Sequence, residues 1–293
     1  MIAKYLLFLF NDFDSSGGPK SGTYLNAVRS AISFFVQYDL PGLGYDITIT
    51  RLFSYFYKSR PTFPKYIVTW DVGKVLKLLA TWHPHKSLST KYLTLKTVAL
   101  IALTSSDRAQ TLHALSVESV EVSSTGVVFV VPRVLKTSRR GKPAQIVECV
   151  HWDEESLDVC KYVHAYMDRV LTFRIRAVNR GLPKPTQLFL SHRSGKEVTR
   201  GTISRWIREV LCLAGIDVRT FGPGSTRGAS ASSAARQGAS AAQILKQGNW
   251  SNLGTFDRFY DRRVDDTPVG RLILAGALVS CVCEDFTGFI KII

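Results

Sequence analysis

One stretch interrupts a chain whose apolar residues otherwise recur at helical spacing. Val127–Val131 is β-branched and aromatic, Ala144–Val150 has the same character, and Lys136–Pro143 between them is a basic turn. That is the signature of a β-hairpin. On either side the pattern is helical over Asp71–Leu79, Tyr92–Leu103, Leu157–Arg174, Thr202–Ala214, Ser225–Gln237 and Ala241–Gln247. Ser105, Ser106 and Asp107 are cap-forming residues, so a further helix is predicted from Arg108 towards Leu115. The expected fold is therefore mainly α with a small antiparallel β-sheet, and no internal repeat is evident.

Ahead of this region, Leu25, Val28, Ile32, Phe35 and Val36, then Leu52, Phe53 and Phe56, mark a small helical segment over Gly22–Tyr57. A turn at Leu40–Gly44 divides it. Pro61 and Pro64 end it; flanked by Lys58, Arg60 and Lys65, they suit an ordinary turn or a linker lying on a phosphate backbone. Three parts are expected: a short helical domain over 1–62, a larger domain over 63–270, and an apolar tail over 271–293. The apolar run Met1–Phe10 is followed by Asn11, Asp12 and Asp14 where a cleavage site would need small residues, so it is a weak signal peptide. Leu272–Cys283 falls short of the roughly 20 residues a membrane span requires, and no membrane partner is expected.

Charge narrows the partners. Lys and Arg number 38 against 23 Asp and Glu, a net charge of +15, while 45% hydrophobic residues supply real cores and exclude wholesale disorder. Such an excess concentrates polyanions, nucleic acid first among them. The five cysteines (Cys149, Cys160, Cys212, Cys281, Cys283) form no CxxC pair, so neither a disulfide framework nor a zinc site is expected. A reducing compartment, nuclear or cytoplasmic before import, fits that usage.

Several residues are candidates for chemistry, each with a plainer reading beside it. Arg108 in TSSDRAQTL is an exposed helix-start arginine, or, because a cation opposes the dipole there, one that meets an anion. Lys136 lies in LKTSRRGKP with Arg139, Arg140 and Lys142, a solvated basic loop or one that enters a DNA groove; Lys142 is the reserve for any catalytic lysine. Arg227 sits near the start of the small-residue helix STRGAS, which is either packed tightly in the core or open to close approach by DNA. Trp250 and Tyr260 lie close together in GNWSNLGTFDRFYDRR; the tyrosine is one more core aromatic or, among charged neighbours, a partly exposed phenol. His113, His151, His164 and His192 read as structural or surface residues.

Taken in order, LTLKTVALIALTSSDRAQTL, LKTSRRGKP, LFLS, TISRWI, AGID, STRGASASSAA and GNWSNLGTFDRFY resemble the tyrosine recombinase (phage integrase) family, most closely the recombinases of DIRS-type and Crypton-type mobile elements. The resemblance spans Tyr66 to Arg262, and Gly22–Arg60 is similar to the end of the family's helical core-binding domain. It implies the family's DNA breaking-rejoining fold and a site-specific recombinase or integrase acting as a homotetramer on synapsed double-stranded DNA. Neither metal, cofactor nor small-molecule substrate is implied. Tyr260 would attack the scissile phosphate to form a 3′-phosphotyrosyl link, Arg108 and Arg227 would clamp the non-bridging oxygens, Lys136 would protonate the departing 5′-oxygen, and Trp250 takes a position that is His or Trp in the family. Arg139, Arg140, Lys142 and Arg205 would contact DNA.

These roles make physical sense. Charge grows on the phosphate oxygens as the pentacovalent geometry forms, and two guanidiniums meet it with charge-assisted hydrogen bonds. A tyrosine of pKa near 10 needs that positive surrounding to attack at neutral pH. One departure stands out: Gly224 occupies the place, three residues before the second arginine, where the family usually has histidine. Loss of that imidazole implies an impaired enzyme; the alternative is a DNA-binding protein of the same fold without catalysis. A relaxing enzyme of the type IB topoisomerase kind shares the chemistry, whereas metal-dependent transposases are disfavoured by the absence of a recognisable carboxylate trio.

Overall fold

The computed structural model describes residues 1–15, 17–36, 42–61, 68–132, 141 and 144–250. The chain falls into two compact units, one within Met1–Lys65 and one beginning at Tyr66.

The first unit is three helices: α1 (Ile2–Asn11), α2 (Gly22–Val36) and α3 (Ile47–Ser59). Asp46 caps α3 by accepting from the Ile49 amide. Leu6, Leu9 and Phe10 lie on one face of α1 and bury against Leu25, Ile49 and Phe56. The Phe10 and Phe56 rings stack at 4.2 Å, and the Arg60 guanidinium lies 3.8 Å from the centre of the Phe10 ring. The opening apolar run is thus an amphipathic helix seated in this small core, which its brevity and single lysine did not announce.

The second unit contains α4 (Val72–Thr81), α5 (Thr90–Ser105), α6 (Ala109–Ala114), β1 (Val120–Val122), β2 (Gly126–Val130), β3 (Ile146–Val150), α7 (Val159–Asn179), α8 (Arg200–Leu213), α9 (Ser225–Arg236) and α10 (Ala241–Gly248). Every residue from Leu93 to Leu103 is buried, so α5 is a central helix apolar all round. It packs against α6, α7, α8, α9 and β3. Within that span Thr94 and Thr97 are polar, and Lys96 is the one charge. Its Nζ donates to the carbonyls of Leu79 and Trp82, each at 2.7 Å, and lies 3.8 Å from the Tyr162 ring centre, closing the end of α4. Burial pushes this ammonium down to about 7.

The sheet is antiparallel in the order β1-β2-β3, with Val128 opposite Glu148. Val127 and Phe129 turn inward on β2, and Val147 and Cys149 on β3, the alternation a half-buried sheet requires. A Cβ at Gly126 would lie 2.2 Å from the Cys149 carbonyl oxygen, so only glycine fits that crossing. The two expected strands and all the expected helices of this unit are present, and the fold is mainly α with a small antiparallel sheet. Short, mostly exposed β1 was not expected. The hairpin turn that carries Lys136, Arg139, Arg140 and Lys142 lies outside the described residues.

Candidate active site

Three elements that are distant in sequence meet at the guanidinium of Arg227. The small side chains of α9 let it pack closely on α5 and α10, and Trp70 fixes its start by donating from Nε1 to Ser225 Oγ at 2.9 Å. Arg227, in the first turn, is only 3% exposed. Its Nη1 donates to the Ser106 carbonyl at 3.1 Å, its Nη2 donates to the Gly248 carbonyl, and its guanidinium carbon lies 4.4 Å from the Trp250 ring centre.

The Ser106 carbonyl belongs to a sharp turn. Ser106 is left-handed (φ 52°) at the end of α5, and Arg108 is extended at the N-cap of α6. This pair of conformations ends the long helix and sets Arg108, half-buried, two residues from the carbonyl that Arg227 holds. The two arginines, far apart in sequence, thereby share one turn of backbone.

Asp107, between Ser106 and Arg108, does not cap α6 as expected. That helix has no side-chain cap; the Asp107 carboxylate is buried and accepts from Gln145 Nε2 at 2.6 Å, just ahead of β3. Burial pushes its pKa up to about 6, against the pull of Arg227's charge and of bonds from Thr111, Gln145 and Ser105. Asp107 was read in the sequence as part of a cap, and Gln145, a strand flank, was not singled out.

The third element is the end of α10. Ser240 and Gln243 form a capping box at its start, and Asn249 turns left-handed (φ 47°) at its end. Gln247 Nε2 donates to the Thr104 carbonyl, tying this end to the end of α5. A Cβ at Gly248 would lie 2.2 Å from the Trp250 ring, so glycine there admits the indole beside Arg227. The result is a guanidinium fixed by backbone carbonyls, with a second, partly exposed arginine, Arg108, two residues along the chain from one of those carbonyls. A tetrahedral oxyanion such as a phosphodiester is what two such groups bind best.

The sequence matches no family profile and no curated protein. Among solved structures the chain is similar to a lambda integrase dimer bound to a COC′ core site (TM-score 0.52, 12% identity, covering 91% of this chain and 67% of that one). It is also similar to the Tn1549 transposon integrase, residues 82–397 with Y379F, in complex with transposon right end DNA (TM-score 0.51, 16% identity, 95% and 84% covered). A lambda integrase (75–356) dimer on the same core site gives 0.50, with 12% identity and 99% and 83% covered. The fold is that of the tyrosine recombinases.

Within this fold, Arg227 and Trp250 are in contact, and Arg108 follows two residues after the Ser106 carbonyl that Arg227 holds. Arg205 stands apart from them in kind: it is exposed on α8, donating to Thr202 Oγ1 at 3.0 Å, while Ile203, Trp206, Ile207 and Val210 bury the other face. Lys136, Arg139, Arg140, Lys142 and Tyr260 lie outside the described residues. Gly224, at the N-cap of α9 with φ −70° and ψ −14°, is exposed, and an added Cβ would meet nothing within 4 Å. The backbone there accepts a side chain without strain.

A separate cluster of His151, Asp158 and Cys160 places three ligand atoms within 4.8 Å of one another. Each is already engaged. Asp158 caps α7 through the Cys160 and Lys161 amides and lies 3.0 Å from His151 Nδ1, and Cys160 Sγ donates to the Cys149 carbonyl at 3.1 Å. Burial pushes the Cys160 thiol up, away from the thiolate a metal needs.

Proposed function

We propose that this chain is a site-specific DNA recombinase of a mobile element, of the DIRS or Crypton kind. It would act in the nucleus as a homotetramer on two synapsed duplexes. The observation that supports it most is the hydrogen bond from Arg227 to the carbonyl two residues before Arg108, with Trp250 against the same guanidinium. The resemblance at Lys136 and Tyr260 supplies the remaining groups.

In this reading the Tyr260 phenol releases its proton to solvent water as its oxygen attacks phosphorus in line with the departing 5′-oxygen. The Tyr260–phosphorus bond forms, the phosphorus–O5′ bond breaks, and Lys136 delivers a proton to O5′. Arg108 and Arg227 bind the non-bridging oxygens, where negative charge increases in the transition state. Attack by a 5′-hydroxyl reverses the sequence and rejoins the strand. Gly224 supplies no imidazole to the phosphate, so turnover is slow.

The test is a nicked suicide duplex carrying the element's own terminal sequence, incubated with the full chain and with Tyr260→Phe. A protease-sensitive covalent protein–DNA band that disappears in Tyr260→Phe is the expected result. Salt-sensitive binding without any band would instead favour a DNA-binding protein that has lost catalysis, the reading that the glycine at 224 makes the natural alternative.

A further inference from the structure

Away from Arg227, the far end of α7 and the two turns that follow it enclose an open cleft of about 610 Å³. Arg176, Arg180, Lys184, Arg193 and Lys196 line it, all exposed, against a single acid, Glu197. None of the five cations pairs with a described carboxylate. The Glu197 carboxylate accepts from the Thr186 and Gln187 amides at 2.9 and 3.1 Å, so part of its charge is taken up within the wall. The floor is half-buried Phe173, under Gly195, and exposed Leu182 adds to the apolar lining.

The cleft is built into the fold rather than left by loose side chains. Buried Arg174 donates to the carbonyls of Pro185, Gln187 and Leu188, pinning the first turn to α7. The second turn closes through bonds between Ser191 and Lys196 and between Gly195 and Ser191, each 2.8 Å. Gly195 has φ +68°, and a Cβ on it would lie 2.7 Å from the Phe173 side chain. Only glycine lets that turn settle on the floor.

We infer that this cleft is a second phosphate-backbone groove, which holds the duplex away from the strand that is cut. The inference rests on the proposed DNA-recombining function. Five cations spread over the end of α7 and two turns match a linear polyanion better than one compact anion, which needs its donors to converge on a point. The apolar floor suits the sugar faces between successive phosphates. The groove lies past the opposite end of α6 from Arg108: the Leu115 carbonyl at that end accepts from the Leu188 amide, and Ser116 bridges to Gln187. A duplex that reached both places would have to extend beyond the clamp.

The test compares the full chain with the triple variant Arg176→Gln, Arg180→Gln, Arg193→Gln, whose substituted side chains are exposed. Binding is titrated against salt with a duplex of about 10 bp, one helical turn, and with one of about 30 bp. The expected result is unchanged binding of the short duplex and, for the long one, a salt slope smaller by about 2 to 3, as three lost phosphate contacts require. Equal slopes on the long duplex would overturn the groove while leaving the clamp reading intact. Failure of the unaltered chain to bind either duplex would overturn both. Loss of poly-glutamate binding in the variant, with duplex binding unchanged, would also overturn it and assign the cleft to an acidic protein.

Discussion

Arg174 and Arg227 are each 3% exposed, and each spends its guanidinium on backbone carbonyls, yet their surroundings differ in kind. Arg174 binds three carbonyls of one adjoining segment, and the nearest acid that acts on it, Glu197, is exposed. Arg227 joins the ends of two other helices, faces an indole and has a buried carboxylate, Asp107, acting on it. Burial of an arginine therefore does not mark a site. What marks it is convergence of further charged and donor groups from separate parts of the chain on the same few ångströms.

The largest expected effect separates the two directly. Arg227→Lys keeps the charge but loses the planar fork, and removal of a donor to developing oxyanion charge costs about 10²- to 10³-fold in rate. Cleavage of the suicide duplex by folded protein should fall by that factor. Arg174→Lys should instead lower unfolding free energy by about 2–4 kcal/mol, because carbonyls are left without donors. On a duplex too short to reach the cleft that Arg174 helps to build, cleavage per folded molecule should stay the same. A loss of cleavage in Arg174→Lys that tracks no loss of folded protein would break the comparison.

Next comes the acid that only the Arg227 region possesses. Asp107 titrates near 6 in the folded chain and at 3.8 unfolded. Between those values the native state holds a proton that the unfolded chain has released, so stability falls as pH rises through this window, by about 3 kcal/mol in all. Asp107→Asn removes that decline. Its unfolding free energy relative to the parent should rise from pH 4 to pH 6.5 and then level off, as urea titrations at several pH values would show. A difference independent of pH would mean that the carboxylate is not held high.

The third effect concerns the open position beside Arg227. Restoring an imidazole with Gly224→His should raise covalent-complex formation by about a hundredfold, the low end of general acid–base contributions. The backbone there has negative φ and free space, so the same variant should melt as the parent does. An unchanged rate would show that Gly224 does not limit the reaction.

Much of this arrangement was legible in the sequence, for reasons that also explain the rest. The strands β2 and β3 alternate β-branched residues over a full five-residue span, whereas β1 has three residues and only partial burial, too little to print a pattern. Helices α4, α5 and α7 carry both apolar spacing and an N-cap acid or serine, at Asp71, Ser89 and Asp158. Arg108 and Arg227 were visible through flanking motifs, but the bond that ties Arg227 to the turn ahead of Arg108 runs to the Ser106 backbone carbonyl, which no side-chain pattern encodes. Asp107 was misread because a carboxylate before a helix start is far more often a cap than a buried acid, and its bond to Gln145, 38 residues on, is not visible in the sequence.

The smallest expected effect tests the opposite extreme from both buried arginines. Arg205 is exposed on α8, its only described partner is Thr202, and its turn of helix is anchored by Trp206 and Ile207 on the buried side. Removal of it should leave stability within about 0.5 kcal/mol of the parent. If it meets a phosphate, Arg205→Ala lowers the salt slope of duplex binding by about one and weakens all sequences alike. A slope that does not move would remove Arg205 from the DNA contacts. A preference that shifts between sequences would instead place it at a base edge, where a bidentate guanidinium reads guanine rather than backbone.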